Sequence, residues 1–436
     1  MSKSRRREPF EVVIDNLSHE GRGVGRVNGK TIFVAGALPG ETALVRKTRG
    51  RKSFDEGIAL EITNPNPDRI EAKCSHYEIC GGCSLQHLPA DKQIEHKQSV
   101  LLELFSHHAN ATPQEILPPL TADQWHYRRR ARLGVKFVEK KGGALVGFRE
   151  KASPYIADIA SCEVLDKSVG YHLGELRELV NGLSIPDKVP QLEVAIGDAT
   201  TAIIVRHLES FSAEDLSLLE EFQEKMNISL FLQPSGESSV HPLNEHAKQL
   251  SYNIDDIEFS FTPSNFVQVN QSINRRMISI VSSHLDLNTE DNLLDLFCGL
   301  GNFTLPLSRQ ANSVHGIEGD TALVELAKKN ALANDITNAT FAKMDLADED
   351  FLKTLDLRKF NKILLDPPRS GAESILTSGD LSEVETVAYV SCNPVTLARD
   401  AKHLVEKHGF CLSKLGVMDM FPHTSHVESL AIFKRS

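Results

Sequence analysis

The sequence predicts a multidomain α/β protein: a small N-terminal β-barrel of the oligonucleotide-binding (OB) type, a central α+β region and a C-terminal doubly wound parallel sheet. Three observations carry this. A chain of 436 residues exceeds one ordinary core. Residues 10–63 alternate short β-forming runs with Gly/Pro turns. From about residue 290, strand-like and helix-like runs alternate as in βαβ units. Charge is divided along the same line. Residues 1–150 hold 24 Lys+Arg against 18 Asp+Glu, and the remainder holds 24 against 41, within a net charge of −11. A basic front joined to an acidic back points to a polyanion at the front.

The barrel strands read as Phe10–Ile14, Gly21–Val27, Lys30–Val34, Thr42–Arg46 and Ile58–Ile62. The motifs G-x-G-V-G-R at 21–26 and V-x-G-A-L-P-G-E at 34–41 resemble a TRAM domain, an RNA-binding barrel. Between its last strands lies the cationic run Arg46-Lys47-Thr48-Arg49-Gly50-Arg51-Lys52, expected as a loop in contact with phosphates rather than a merely solvated face. Asn64-Pro65-Asn66-Pro67 is a linker, so the barrel domain is assigned 10–68.

The central domain is assigned 69–260. Cys74, Cys80 and Cys83 are spaced x5 and x2, with Gly81 and Gly82 between the last pair. That density suits thiolates converging on one metal centre, with Cys162 the nearest fourth ligand. Spacing alone leaves structural zinc and an iron–sulfur cluster open. A helix is expected over 91–105, followed by the Pro-rich link 113–119. The 91–124 segment could equally pack on the C-terminal domain. Trp125-His126-Tyr127-Arg128-Arg129-Arg130-Ala131-Arg132 sets aromatics beside four arginines, a mix that stacks bases and binds phosphates or forms an ordinary strand edge. No apolar run of signal-peptide or membrane-spanning length follows Met1–Pro9 or occurs later. The expectation is therefore a cytoplasmic protein without a membrane partner, whose seven cysteines serve metal or catalysis rather than disulfides.

In the C-terminal domain, 261–436, strand ends carry the chemistry. Asn292–Phe297 leads into the turn Cys298-Gly299-Leu300-Gly301-Asn302. Val314–Ile317 ends at Glu318, a carboxylate suited to ribose hydroxyls. Ala342-Lys343-Met344 ends at Asp345, where an adenine would lie, and Ile363-Leu364-Leu365 ends at Asp366-Pro367-Pro368. Four such endings in order resemble the class I S-adenosylmethionine-dependent methyltransferases. The next strand delivers Cys392, in Ser391-Cys392-Asn393-Pro394, at the start of a helix. The helix end is expected to lower the thiol pKa. A nucleophilic thiol has no use in amino methylation and points to a carbon acceptor such as C5 of uracil. There a thiolate adds to C6 and a base finally removes the C5 proton. Glu428 in the last strand is the candidate base, with His423 and His426 as rivals.

S-C-N-P at 391–394, H-V-E-S at 426–429, D-P-P-R at 366–369, F-V-Q-V-N at 266–270 and D-L-F-C-G-L-G-N-F at 295–303 resemble the RNA 5-methyluridine methyltransferase family. The barrel and the cysteine set make the chain most similar to the branch acting on 23S ribosomal RNA. The resemblance implies Cys392 as nucleophile and Glu428 as base. It implies a [4Fe-4S] cluster, in preference to zinc, on Cys74, Cys80, Cys83 and Cys162. It implies S-adenosylmethionine contacts from Gln268, Phe297, Asn302, Glu318, Asp345 and Asp366. The substrate it implies is a uridine in a single-stranded or loop region, flipped from its stack. No obligate protein partner is expected. Two other classes compete. A radical S-adenosylmethionine enzyme usually has C-x3-C-x2-C spacing and forms 5′-deoxyadenosine. A non-catalytic RNA-binding protein on a methyltransferase fold would not need Cys392 and Glu428.

Overall fold

The computed structural model describes residues 8–348 and 354–435; the basic Arg5–Arg7 run lies outside the described residues. Strands β1 (Phe10–Leu17), β2 (Gly23–Val27), β3 (Lys30–Ala35), β4 (Thr42–Gly50) and β5 (Phe54–Thr63) close a barrel in the order β1-β2-β3-β5-β4. Alternating residues such as Val12, Ile14, Ile32, Val34, Ala43 and Val45 fill it, as the period of two requires. The cationic run is not a loop: β4 continues through Gly50, pairing with β5 as far as Asp55. Lys47 faces Asp55 at 2.5 Å, which also holds Lys30 at 2.7 Å, leaving Arg46, Arg49, Arg51 and Lys52 exposed. Glu41 of the P-G-E corner is fully buried. Burial pushes its pKa up, but Arg69 and the amides of Leu38 and Asn66 outweigh that and hold it below the usual range.

The helix Ala90–His108 buries Gln93, Ile94, Lys97, Val100, Leu101 and Phe105 on one face. Its apolar members join the core around the C-terminal sheet. The link after it also joins that sheet: β6 (Glu115–Ile116) adds its edge strand. A second sheet is built from β7 (Arg130–Val138), β8 (Gly143–Gly147), β9 (Gln191–Ile196), β10 (Thr201–Arg206), β11 (Ser229–Gln233) and β12 (His241–Pro242), in the order β12-β11-β10-β9-β7-β8. The hairpin of β13 (Leu250–Ile254) and β14 (Ile257–Phe261) follows.

The third sheet comprises β15 (Asn292–Leu296), β16 (Ser313–Glu318), β17 (Ala339–Lys343), β18 (Lys362–Leu365), β19 (Thr386–Ser391), β20 (Phe410–Met418) and β21 (Glu428–Arg435), besides β6. Its order is β17-β16-β15-β18-β19-β21-β20-β6; β15–β19 are parallel and β21 runs antiparallel between β19 and β20. Strand order reverses between β15 and β18, so the crevice beyond their carboxyl ends is where such a sheet receives a ligand. Among the described residues no helix is long and apolar enough to cross a membrane.

Candidate active site

Each chemistry-bearing residue of the C-terminal sheet stands at or just past a strand end. The turn after β15 needs left-handed backbone at Phe297 (φ 67°), Gly299 (φ 57°) and Gly301 (φ 92°). Glycine meets this without strain, whereas Phe297 is held there while its N–H donates to the Ile317 carbonyl at 2.9 Å. Glu318 Oε2 accepts from Gly299 N at 3.1 Å, so the carboxylate of β16 braces the glycine turn of β15. Asn302 is oriented by Tyr252 Oη and Asn274 Nδ2, both 2.9 Å from its Oδ1, and returns a bond to Asn274 Oδ1. Gln268 shares a small pocket with Tyr252 and Asn274. Asp345 is exposed and accepts from Ala347 N at 3.0 Å. Asp295 is buried under the turn, with Thr304 on one oxygen and no partner on the other; burial pushes its pKa to about 7. Asp366 is likewise pushed to about 7 by burial.

The strands β19 and β21 bring the other pair together. Ser391 pairs with Ser429, so Cys392 and Glu428 are the next residues at the same end of that ladder. Asn393 caps the following helix, Pro394–Glu406, on Val395 N and donates its Nδ2 to the Arg369 carbonyl at 2.9 Å. The D-P-P-R loop is thereby tied to the cysteine turn. The thiol pKa is raised rather than lowered, correcting the expectation from the helix end. Burial and the carboxylates of Glu428 and Asp366 disfavour the thiolate more than Arg369 favours it. Glu428 is 5% exposed, and burial together with Asp366 pushes its pKa to about 8 against the opposing pull of Arg369 and Lys97. A carboxylate of that basicity suits proton removal near neutral pH.

His423, one of the rival bases, is packed away inside the protein. It is buried and stacked on Trp125 at 3.9 Å between centroids. Gln93 Oε1 accepts its backbone N–H, and burial lowers its pKa to about 4. His426 lies against Arg369 Nη2 at 3.1 Å, and burial with nearby cations lowers its pKa. The aromatic–arginine segment is also largely internal. Trp125 lies between His423 and Lys73, and Tyr127 donates to the Pro422 carbonyl. Arg129 pairs with Asp198, and Arg130 binds the carbonyls of Pro263 and Ser264. Arg132 projects outward, its side chain 68% exposed and 3.2 Å from Glu193.

Sequence reasoning missed the clamp beneath Glu428. Lys97, 1% exposed, sets Nζ 2.7 Å from Asp419 Oδ1 and 3.0 Å from the Phe421 carbonyl. Asp419 follows Met418, the register partner of Glu428. A lysine on the apolar stripe of an amphipathic helix was the available signal.

The four clustered cysteines line one small cavity beside Gly82 and Phe148. Burial pushes Cys80 to about 11 and Cys83 to about 12 and raises Cys162, with mutual repulsion among the thiols adding to each. The Gly82 amide donates to Cys80 Sγ at 3.4 Å. Among the described residues no group of three or more His, Cys, Asp or Glu side chains meets closely enough to hold a metal ion.

Residues 90–436 match the tRNA (Uracil-5-)-methyltransferase family, and residues 3–60 match the TRAM domain. The chain belongs to this methyltransferase family. It is 47% identical to the 23S rRNA (uracil(1939)-C(5))-methyltransferase RlmD of Alkalilimnicola ehrlichii, over 100% of this chain and 99% of that protein. It is 46% identical to the protein of the same name in Legionella pneumophila strain Paris, over 97% and 96%. Its fold is that of the Pyrococcus abyssi tRNA (uracil-54, C5)-methyltransferase solved with S-adenosyl-L-homocysteine, at a TM-score of 0.73 and 22% identity. That alignment covers 97% of this chain and all of the other.

Proposed function

We propose that this protein methylates C5 of a uridine in 23S ribosomal RNA, using S-adenosylmethionine. The observation that carries the reading is the meeting of Cys392 and Glu428 at matched ends of β19 and β21, beside Asp366. Supporting it are relatives of that name at 47% and 46% identity along nearly the whole chain. When bound, S-adenosylmethionine supplies an electrophilic methyl group. Glu318 and Asp345 are suited to its ribose and adenine, and Gln268, Phe297, Asn302 and Asp366 would supply its other contacts. The Cys392 thiolate adds to C6 of the flipped uracil, and the C5–C6 π pair moves toward C5 and O4. C5 would then take the methyl group as its bond to the sulfonium sulfur breaks, the bond pair staying on sulfur and S-adenosylhomocysteine leaving. Glu428 accepts the C5 proton, and that C–H pair re-forms the double bond as the C6–S bond breaks and the thiolate leaves.

In this reading the four cysteines, which line one cavity, hold a [4Fe-4S] cluster rather than zinc. The cluster's role in this reading is to brace the fold and the RNA-docking face. The division at 10–68, 69–260 and 261–436, the 90–124 segment packing with the last unit, and a cytoplasmic location belong to the same proposal.

The test is denaturing electrophoresis of the protein with rRNA fragments containing 5-fluorouridine, whose fluorine cannot be removed as a proton. A covalent adduct accumulates with the wild type and is lost in Cys392→Ala. An adduct that survives this substitution, or 5′-deoxyadenosine formation under reductant, overturns the reading.

A further inference from the structure

An open groove of about 570 Å3 lies on the second sheet, remote in sequence from the proposed catalytic residues. Its walls carry Arg132, Lys136 and Arg149, and no carboxylate lines it. Arg132 reaches Glu193 at 3.2 Å while staying 68% exposed, and Lys136 and Arg149 have no ion pair among the described residues. Two of the three cations in the groove are thus without an ion pair among the described residues, and the third is only partly neutralised by Glu193. Arg132 and Lys136 project from the same face of β7, separated by Gly134, where an added Cβ would collide with Ile156. The floor between the two cations is thus closed by packed backbone and Ile156.

The opposite lip is a tight turn. Arg149 pairs with Ile156, Glu150 N donates to the Tyr155 carbonyl at 2.9 Å, and Ala152 takes φ 54°. The turn presents Tyr155 with 71% of its surface exposed among the described residues. The cysteine site holds this turn from behind. Gly81 N donates to the Arg149 carbonyl at 2.8 Å, Cys80 bridges Glu150, and Phe148 borders both the thiol cavity and the groove.

We propose that this groove binds a single-stranded RNA segment flanking the methylated loop, with Tyr155 stacking one base and Lys136, Arg149 and Arg132 meeting the adjoining phosphates. Cations on a backbone track with an exposed ring between them are the two elements that sequence-tolerant single-strand binding needs. The proposal rests on the ribosomal RNA reading above. It also gives the cysteine site a local task, since the lip carrying Tyr155 and Arg149 hangs on the Cys80–Gly82 loop.

The test uses the full-length protein and two fluorescein-labelled 23S fragments containing the uridine named for the relatives, one with its flanking single strand and one trimmed to the hairpin. Tyr155→Ala weakens binding of the flanked RNA about 10-fold with an unchanged salt slope, while Tyr155→Trp retains it. Lys136→Glu and Arg149→Glu each lower the slope of log K against log salt by about 1. The trimmed hairpin is bound and methylated as by wild type in all four. Wild-type affinity of Tyr155→Ala and Arg149→Glu for the flanked RNA overturns the proposal, as does an equal loss on both RNAs. Failure of the wild type to methylate either fragment removes the underlying reading, and the groove's ligand with it.

Discussion

Cys392 and the Cys74/Cys80/Cys83/Cys162 group are the same side chain in two settings. In both, burial raises the thiol pKa. The difference lies in the neighbours. Cys392 sits at a strand end opening on the ligand crevice, with a basic carboxylate beside it and Arg369 near. The other four line one cavity with Phe148 and Arg128, and the Gly82 amide donates to Cys80. The neighbours therefore separate the two settings, and the proposed reading makes the cysteine beside a proton acceptor the transient nucleophile. Four thiols without one are, in the proposed reading, a ligand set.

The comparison breaks most directly at Cys392. Cys392→Ser is expected to lower methyl transfer at least ~10^4-fold while leaving the thermal unfolding midpoint in place, read by tritiated methyl incorporation and calorimetry. Loss of folding in that variant would make Cys392 structural, like its counterparts.

Glu428→Gln lowers turnover by about 10^2- to 10^4-fold and traps the cysteine–RNA adduct, because the methylated ring keeps its C5 proton. In the wild type the rate should climb as pH rises through about 8, where Glu428 ionises. Stability runs the other way. Between the unfolded carboxyl pKa near 4.5 and about 8, the folded state holds a proton that the unfolded state has lost. Glu428 thus weakens the fold as pH rises, and Glu428→Gln removes that slope. A rate with no ascending limb above pH 6.5 would reject Glu428 as the base.

Lys97→Met leaves Asp419 buried without its cation and should cost about 3–5 kcal/mol of stability by denaturant titration. It also moves the ascending limb upward, since Lys97 is one of the two groups holding the Glu428 pKa down, with Arg369; Asp366 and burial act oppositely. An unmoved limb in the folded variant would confine Lys97 to structure.

Cys83→Ser sharpens the other side of the comparison. It should abolish iron content and the visible absorbance of the cluster, with a smaller fall in turnover than Cys392→Ser causes. Iron content equal to wild type would dismiss the four-thiol ligand set.

Much of this was legible from the order of residues. Strand ends at Glu318, Asp366 and Ser391-Cys392 followed from short apolar runs closed by turn residues, because a parallel strand buried on both faces leaves a plain hydrophobic signal. The TRAM-like barrel was equally plain in its glycine and proline punctuation. Less was readable in Arg46–Lys52 and Trp125–Arg132. A basic or aromatic residue looks the same in a one-dimensional string whether it meets RNA or an internal carboxylate. Lys47 found Asp55, Arg129 found Asp198 and Trp125 found His423.

What the chain settled by itself was which chemical groups exist and which backbone element ends at each. Their identities and local spacing dictate strand, turn and cap. Tertiary structure alone decided their electrostatics. Packing β21 between β19 and β20 buried Glu428 beside Asp366, and running Ala90–His108 beneath them brought Lys97 from more than 300 positions away. Desolvation and Coulomb interactions depend on distances in space, which a sequence does not hold, so the raised pKa values of Cys392 and Glu428 exist only in the fold.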